Sequence, residues 1–170
     1  MPRDKERRSP PAGEEGPVIR DIWEVRVFTI ADHVTVPPDN KLYIHGGGVD
    51  TVFLPEIPGP FTPVWLGLRL RIPWQDTSSI FVLRIRVLDA DRNPVGPDPL
   101  AEAQIEAGRA PGLRPGDENG ISLAIPLAGF AVQSEGSIYF HLIVRDTTLS
   151  VLPLKVRRRM VAQIAPGAQP

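Results

Sequence analysis

The sequence predicts an all-β protein, an antiparallel β-sandwich of about eight or nine strands and of immunoglobulin-like type, with disordered termini. Short runs in which apolar and polar residues alternate recur along the chain, and proline, glycine or aspartate turn signals separate them. No amphipathic run reaches the length of a helix. Because each run has one apolar face, two sheets packed face to face would bury those faces.

The chain is organised around the stretch from Ile30 to Phe53, in which two β-rich runs flank one turn. The turn is Pro37-Pro38-Asp39-Asn40, where proline presets φ and the aspartate and asparagine tolerate turn conformations. The second run is interrupted by Gly46-Gly47-Gly48. Since glycine weakens a strand interior, these glycines predict a bulge, a sharp bend, or the close approach of another backbone or a ligand.

Alternation predicts the remaining strands. The first strand runs from Ile22 to about His33, and its apolar face changes parity at Phe28, which either a bulge or a contact with a second sheet would explain. The last two strands form the clearest hairpin, around the turn Asp146-Thr147-Thr148. After the first strand, strands are predicted at residues 41–44, 49–54, 66–72, 81–88, 101–107, 121–127, 138–145 and 152–156.

Composition indicates one domain with two tails and excludes several classes of function. A chain of 170 residues, 42% of them apolar, can bury a core. We predict a disordered leader over residues 1–19, the sandwich over 20–158 and a flexible tail over 159–170. The net charge of −1 gives no bulk attraction to nucleic acid or to a membrane. The absence of cysteine excludes disulfides and cysteine-ligated metals and suits a cytoplasmic location.

Several positions near the start of the domain resemble a known family. Asp32, the run Lys41 to Ile44, the glycines that follow and Asp50 fit an Asp…Lys-Leu-x-Ile-x-Gly…Asp signature, and a later strand ends in the turn Asp89-Ala90-Asp91. This pattern is similar to a family of small uncharacterised bacterial β-sandwich proteins, a domain of unknown function. The resemblance covers Ile22 to Val156 and implies the sandwich but no activity. The three consecutive glycines depart from the family, where one glycine is more usual.

The sequence predicts no cofactor and no metal site, although two groups of residues have suitable ligand chemistry. His33 and His45 flank the central turn and could meet across a hairpin, with Asp32 and Asp50 nearby, a set that suits zinc. Oxygen ligands at loop tips suit calcium. The aspartates concerned are Asp76, Asp89 and Asp91. Both groups also have an ordinary explanation, because lone histidines on strands are usually surface residues and Asp-x-Asp commonly ends a hairpin strand.

The motif His45-Gly46-Gly47-Gly48 resembles the oxyanion-hole loop of some esterases. That chemistry also requires a serine in a Gly-x-Ser-x-Gly turn between a strand and a helix, and the sequence contains no such pentapeptide. It contains no P-loop, dinucleotide fingerprint or EF-hand spacing either. We therefore predict that the protein is not an enzyme, and an esterase-like hydrolase is the remote alternative.

Strand parity places apolar residues and arginines on outward faces, where they are candidates for an interface. The apolar residues are Trp65, Ile80, Val82, Leu88 and Ile143, and the arginines are Arg69, Arg71, Arg84 and Arg86. If their strands are neighbours, the four arginines form one cationic patch. Alternatively, Glu102 and Glu106 on the next strand neutralise them, which is the interpretation we favour.

The sequence therefore predicts a non-catalytic β-sandwich that works by protein contact in an accessory or assembly role. Its partner would be an unidentified protein or a second copy of the chain. The alternative is a protein that binds calcium, zinc or a small ligand. No nucleic-acid or membrane partner is predicted.

Overall fold

The structure, a computed structural model, describes residues 22–61, 64–109, 111–115, 117, 119–127 and 130–159. The predicted leader over residues 1–19 lies outside the described residues, as does the predicted tail from residue 160 onward.

In the described residues the chain forms eleven β-strands and one short 3-10 helix, Trp74–Asp76, and no α-helix. Nine strands correspond to the predicted ones, and the other two are two residues long and pair with each other. In chain order the strands are β1 (Glu24–Thr35), β2 (Tyr43–Gly47), β3 (Thr51–Leu54), β4 (Gly59–Pro60), β5 (Trp65–Ile72), β6 (Ile80–Asp89), β7 (Ala101–Glu106), β8 (Asn119–Pro126), β9 (Ala131–Val132), β10 (Gly136–Val144) and β11 (Thr147–Arg158).

Nine of these strands lie in two sheets that form the sandwich. The four-stranded sheet has the order β2-β1-β5-β8 and the five-stranded sheet the order β3-β11-β10-β6-β7. Paired strands are antiparallel except β3 and β11, which run parallel with Thr51 opposite Lys155. The predicted antiparallel β-sandwich is confirmed, and the one parallel pair arises where the chain crosses from β2 to the edge of the other sheet.

The core lies between the two sheets because most of their strands turn alternate apolar side chains inward. Leu66, Leu68 and Leu70 of β5 are fully buried in the same cluster as Phe140 and Leu142 of β10. Full burial of one such side chain contributes about 2 kcal/mol relative to exposure. The alternation that the sequence shows is therefore the main source of stability of the sandwich.

The change of parity in β1 is a β-bulge, one of the two explanations that the sequence left open. Val25 pairs with Leu70 but Val27 pairs with the next residue of β5, Arg69, so Arg26 is the extra residue. After the bulge Ile30 points inward and is fully buried.

The turn between β1 and β2 reaches across the outer face of β5. Val34, at the end of β1, is buried against Gly67 of β5. A Cβ atom on residue 67 would lie only 3.4 Å from Val34 Cγ2. The turn itself is closed by the Asn40 N–H, which donates to the carbonyl oxygen of Pro37 at 2.9 Å. A glycine in the centre of β5 thus gives the returning chain room to pack on the sheet.

Asn40 fixes the end of this turn on the free edge of β8. Its Nδ2 donates to the carbonyl oxygen of Gly120 at 2.7 Å, and its Oδ1 accepts from the backbone N–H of Ser122 at 2.8 Å. The Asn40 carbonyl oxygen accepts from the Ser122 hydroxyl at 2.8 Å and from Arg69 Nη1 at 3.1 Å. The amide side chain therefore pairs with edge backbone groups that would otherwise be open to another strand.

The three glycines redirect the chain from the four-stranded sheet to the five-stranded sheet. Gly46 and Gly48 have φ values of 63° and 85°, in the left-handed region that other residues rarely adopt. The backbone N–H groups of Gly48 and Val49 both donate to the carbonyl oxygen of Ile30 at 3.1 Å. Of the possibilities that the sequence left open, the structure shows a sharp bend.

We expect Gly46→Ala to destabilise the protein more than Gly48→Ala. Both substitutions strain a positive φ, at a cost of about 1–2 kcal/mol. An added Cβ at Gly46 would also lie 2.1 Å from Asp32 Oδ2 and 3.2 Å from Asp32 Cβ, whereas at Gly48 it meets no atom within 4 Å. Urea denaturation of both variants measures the difference, and adding Asp32→Ala to Gly46→Ala should recover part of the loss. Equal losses for the two single variants would contradict this explanation.

Candidate functional site

The outer face of the five-stranded sheet carries a contiguous, partly exposed group of apolar and aromatic residues. The register places Leu88 of β6, Tyr139 of β10 and Pro153 of β11 side by side, and in the next row His141 lies beside Val151, which is 45% exposed. Directly opposed side chains in a sheet are about 5 Å apart, so these residues touch one another. Together they form a surface that we call the contact face, defined as Leu88, Tyr139, His141, Ile143, Val151 and Pro153.

Two arginines lie beside the contact face, and both are paired with carboxylates. Arg84 is opposite Ile143 and donates to Glu102 at 2.5 Å and to Asp146 at 2.6 Å. Arg86 donates from Nε and Nη2 to the two oxygens of Asp98, both at 2.6 Å, and these bonds lower the pKa of the Asp98 carboxyl. The charges around the face are therefore close to balanced.

The four predicted arginines do not form one patch. Arg84 and Arg86 belong to β6 of the five-stranded sheet, whereas Arg69 and Arg71 belong to β5 of the four-stranded sheet. The outer faces of the two sheets are on opposite sides of the sandwich, so the condition for a patch, that the strands be neighbours, is not met. The favoured pairing with carboxylates is present between Arg84 and Glu102.

Arg69 and Arg71 are covered rather than available to a ligand. The guanidinium of Arg69 donates to the carbonyl oxygen of Asn40 and, at 2.9 Å, to the hydroxyl of Ser122. Arg71 is only 7% exposed, with Glu24 as an ion-pair partner at 4.0 Å. Parity directs both side chains away from the core, but it could not reveal that the turn after β1 crosses this face.

The predicted apolar interface residues are also divided between the two sheets. Two of them, Ile80 and Val82, lie on the outer face of β6 near the start of the strand, whereas Leu88 lies near its end. The Ile80 side chain is 65% exposed. Trp65 lies on the other sheet, where its ring meets the ring of His33 edge-on at 5.0 Å.

The interface prediction left out four residues of the contact face, Tyr139, His141, Val151 and Pro153. The alternation of β11, in which Leu154 and Val156 face inward, was the available signal for the last two. Pro153 is compatible with a strand here because β3 pairs only with Lys155 to Arg158, so this part of β11 has a neighbour on one side only.

His141 is the titratable member of the contact face. Burial lowers the pKa of His141 below its ordinary value, and the positive charges of Arg86 and Arg92 lower it further. The imidazole is therefore neutral at pH 7. In the register of the sheet, His141 lies between Arg86 of β6 and Val151 of β11.

We expect His141 to make the protein less stable as the pH falls below about 6.5. Because the folded-state pKa is lowered, the unfolded chain takes up the proton first, and stability is lost between the unfolded-state pKa and the lower folded-state pKa. Urea denaturation at pH 7 and pH 5.5 should show a smaller loss for His141→Asn than for the wild type. An NMR titration that gives His141 a pKa above 6.5 would contradict this expectation.

The aspartates proposed as calcium ligands lie at opposite ends of the sandwich. Asp76 precedes β6, whereas Asp89 is its last residue and Asp91 follows it, and ten residues of strand span about 30 Å. Asp76 is bonded instead to Trp23 Nε1 at 2.7 Å and to Arg145 Nη1 at 2.5 Å. The predicted strand at residues 81–88 lies between Asp76 and Asp89, so the sequence itself carried the signal for this separation.

Asp89 and Asp91 border an open cavity of about 270 Å³ between residues 89–96 and 132–138. The Asp89 carboxylate is occupied by its own turn, since it accepts from the backbone N–H groups of Asn93 and Asp91 at 2.8 and 2.9 Å. The bond from the Asn93 N–H is the main reason that the pKa of Asp89 is lowered. The ordinary interpretation of Asp-x-Asp, a strand-ending turn, describes what this side chain does.

His33 and His45 meet across the β1–β2 hairpin. They are direct partners in the register, both are exposed, and their ring centres are 6.3 Å apart. The register of β2 with β1 ends at Gly47, and Asp50 lies beyond it, beside β11, where its carbonyl oxygen accepts from the Lys155 N–H. Among the described residues, no three histidine or acidic side chains lie close enough together to hold a metal ion.

The fold and these surfaces define a class, a small all-β sandwich with an exposed apolar face on one sheet and a histidine pair on the other. The chain belongs to the family of unknown function DUF6941, whose model matches residues 26–157. No curated protein and no solved structure matches the chain. No helix in the described part of the chain is long and apolar enough to cross a membrane.

Proposed function

We propose that the protein acts by protein contact rather than by catalysis, and that the contact face is the surface it uses. The observation that carries this proposal is a run of side chains across three neighbouring strands, half-buried Leu88 and Tyr139 and exposed Pro153, with exposed Val151 in the next row. Protein interfaces have this composition, an apolar and aromatic centre with arginine near it.

The charges beside the contact face favour a second copy of the chain as the partner. The cations Arg84 and Arg86 are balanced by Glu102, Asp98 and Asp146, so the surface offers both signs of charge and does not select a strongly charged ligand. A two-fold contact joins the same surface of two chains, and a surface with both signs can complement itself. The predicted assembly role and cytoplasmic location remain predictions.

The acidic side chains near the loops support contact over catalysis because their bonds are structural. Asp76 holds Trp23 and Arg145, Asp89 holds its own turn and Asp98 holds Arg86. A general acid or base needs a carboxyl group that is free to reach a substrate. Each of these three groups already has fixed partners.

Sedimentation velocity of the full chain tests the proposal. We expect the wild type to move from its monomer mass of 18.7 kDa toward twice that mass as its concentration rises to about 0.5 mM. Tyr139→Ala combined with Val151→Arg should remove the association. Tyr43→Ala is the matched control, because Tyr43 is the other tyrosine of the chain and lies exposed on the opposite sheet.

A wild type that stays at the monomer mass throughout would overturn the second copy as partner. Association that Tyr43→Ala and the double variant weaken equally would overturn the contact face as its location.

A further inference from the structure

We propose that His33 and His45 form an open binding site for one divalent transition-metal ion of the type that prefers imidazole, such as Cu²⁺ or Zn²⁺. The proposal is independent of the contact face, which lies on the other sheet. It rests on the placement of the two histidines at one register position of the β1–β2 hairpin.

The distance between the rings fits two imidazoles that share an ion. Metal–nitrogen bonds of about 2 Å place the centres of two such rings roughly 5–6 Å apart, and the rings here are 6.3 Å apart and tilted by 38°. Small rotations about the side-chain bonds are enough to bring one nitrogen of each ring to a common ion. Both side chains are exposed, so an ion can reach them from solvent.

The surroundings of the pair hold it in place. The His33 ring is supported by the edge-on contact with Trp65, and both residues lie on strands rather than on loops. Gly47, opposite Ala31 in the same hairpin, has no side chain, and the Ile44 side chain fills the space beside it. A site on strands keeps its ligands closer to one geometry than a site on loops.

The site supplies two ligands, so an ion bound there has positions open to water or to a group from another molecule. No third histidine or carboxylate of the described residues completes the set. This is the arrangement of an accessible site and not of a closed structural one, where four protein ligands surround zinc. Among the divalent ions of the first transition row, Cu²⁺ binds such ligands most tightly, which makes it the probe.

Trp65 provides a direct readout, because Cu²⁺ quenches the fluorescence of an indole close to it and Trp65 contacts one of the two ligands. Titration of the full chain with Cu²⁺, followed by calorimetry and by tryptophan emission, should show one ion per chain at micromolar concentration. His33→Ala and His45→Ala should each weaken binding at least tenfold and remove the quenching. Trp65→Phe should bind as tightly but lose most of the quenching, and Thr35→Ala, on the same hairpin, should behave as the wild type.

Binding that neither histidine substitution weakens would overturn the proposal, as would the absence of saturable binding by the wild type at micromolar Cu²⁺. Equal weakening by Thr35→Ala would show that the hairpin rather than the histidine pair is responsible, and would also overturn it. A fall in affinity as the pH is lowered supports the proposal, because an imidazole must lose its proton to bind a metal.

Discussion

Phe140→Ala is expected to lower the free energy of unfolding by about 4 kcal/mol. The Phe140 side chain is fully buried in the middle of β10, and its ring lies 6.5 Å from that of Phe61. Truncation removes the transfer free energy of the ring and leaves a cavity that the two sheets cannot close. Urea denaturation measures the change, and thermal denaturation should show a midpoint lower by at least 10 °C or so, at about 3 °C for each kcal/mol.

The neighbouring residue provides the matched control. Tyr139 lies on the other face of β10, in the row with Leu88 and Pro153, and Tyr139→Ala is expected to cost at most about 1 kcal/mol. The same variant should impair the proposed self-association. If Tyr139→Ala destabilised the chain as much as Phe140→Ala, the assignment of the two faces would be wrong.

Asn40→Ala is expected to lower the free energy of unfolding by about 3 kcal/mol, although the residue is in a turn. The substitution removes the two side-chain hydrogen bonds, so the Ser122 N–H and the Gly120 carbonyl oxygen lose their partner. It also places alanine at a φ of 60°, which alanine rarely adopts. The bonds that the Asn40 carbonyl oxygen accepts from the Ser122 hydroxyl and from Arg69 do not involve the side chain and remain available to the variant. Urea denaturation measures the loss, and aggregation on standing would report the uncovered edge of β8.

Two further substitutions separate the effect of the lost side-chain bonds from that of backbone strain and of other contacts in the turn. Asn40→Gly lacks the side-chain bonds, as Asn40→Ala does, but adopts the positive φ without strain, so its loss should be about 1 kcal/mol smaller than that of Asn40→Ala. Asp39→Ala removes an exposed ion pair with Lys41 in the same turn and should change stability by less than about 1 kcal/mol. A large effect of Asp39→Ala with a small effect of Asn40→Ala would contradict the role given to Asn40.

The strands could be predicted from the sequence because alternation is a local property. The inward positions of β6 and β10 follow from period two alone, and the bulge in β1 follows from the parity of Val25 against Phe28. The two-residue strands β4 and β9 have no such signal, since two residues cannot show a period. The turn at Asn40 was predicted, but its attachment to β8, eighty residues later, is a long-range contact that no local pattern carries.

The pairing of sheets was harder to predict than the strands. The consecutive strands β5 and β6 could be neighbours in one sheet as far as the sequence shows, but they belong to different sheets. The arginines of β5 are therefore separated from those of β6. By contrast, the sequence showed that His33 and His45 could meet, because both flank one turn that joins two neighbouring strands. Residues close in sequence across a turn were placed correctly, while groups that required a sheet order were not.

The most direct test of the proposed function is site-specific photo-crosslinking in cells. A photoreactive phenylalanine analogue would replace Tyr139 in one full-length variant and Tyr43 in another, so that the two tyrosine positions probe the two opposite sheets. We predict an adduct of twice the chain mass from position 139 after irradiation and none above background from position 43. A yield at position 139 no greater than at position 43 would contradict the contact face as the working surface of the protein.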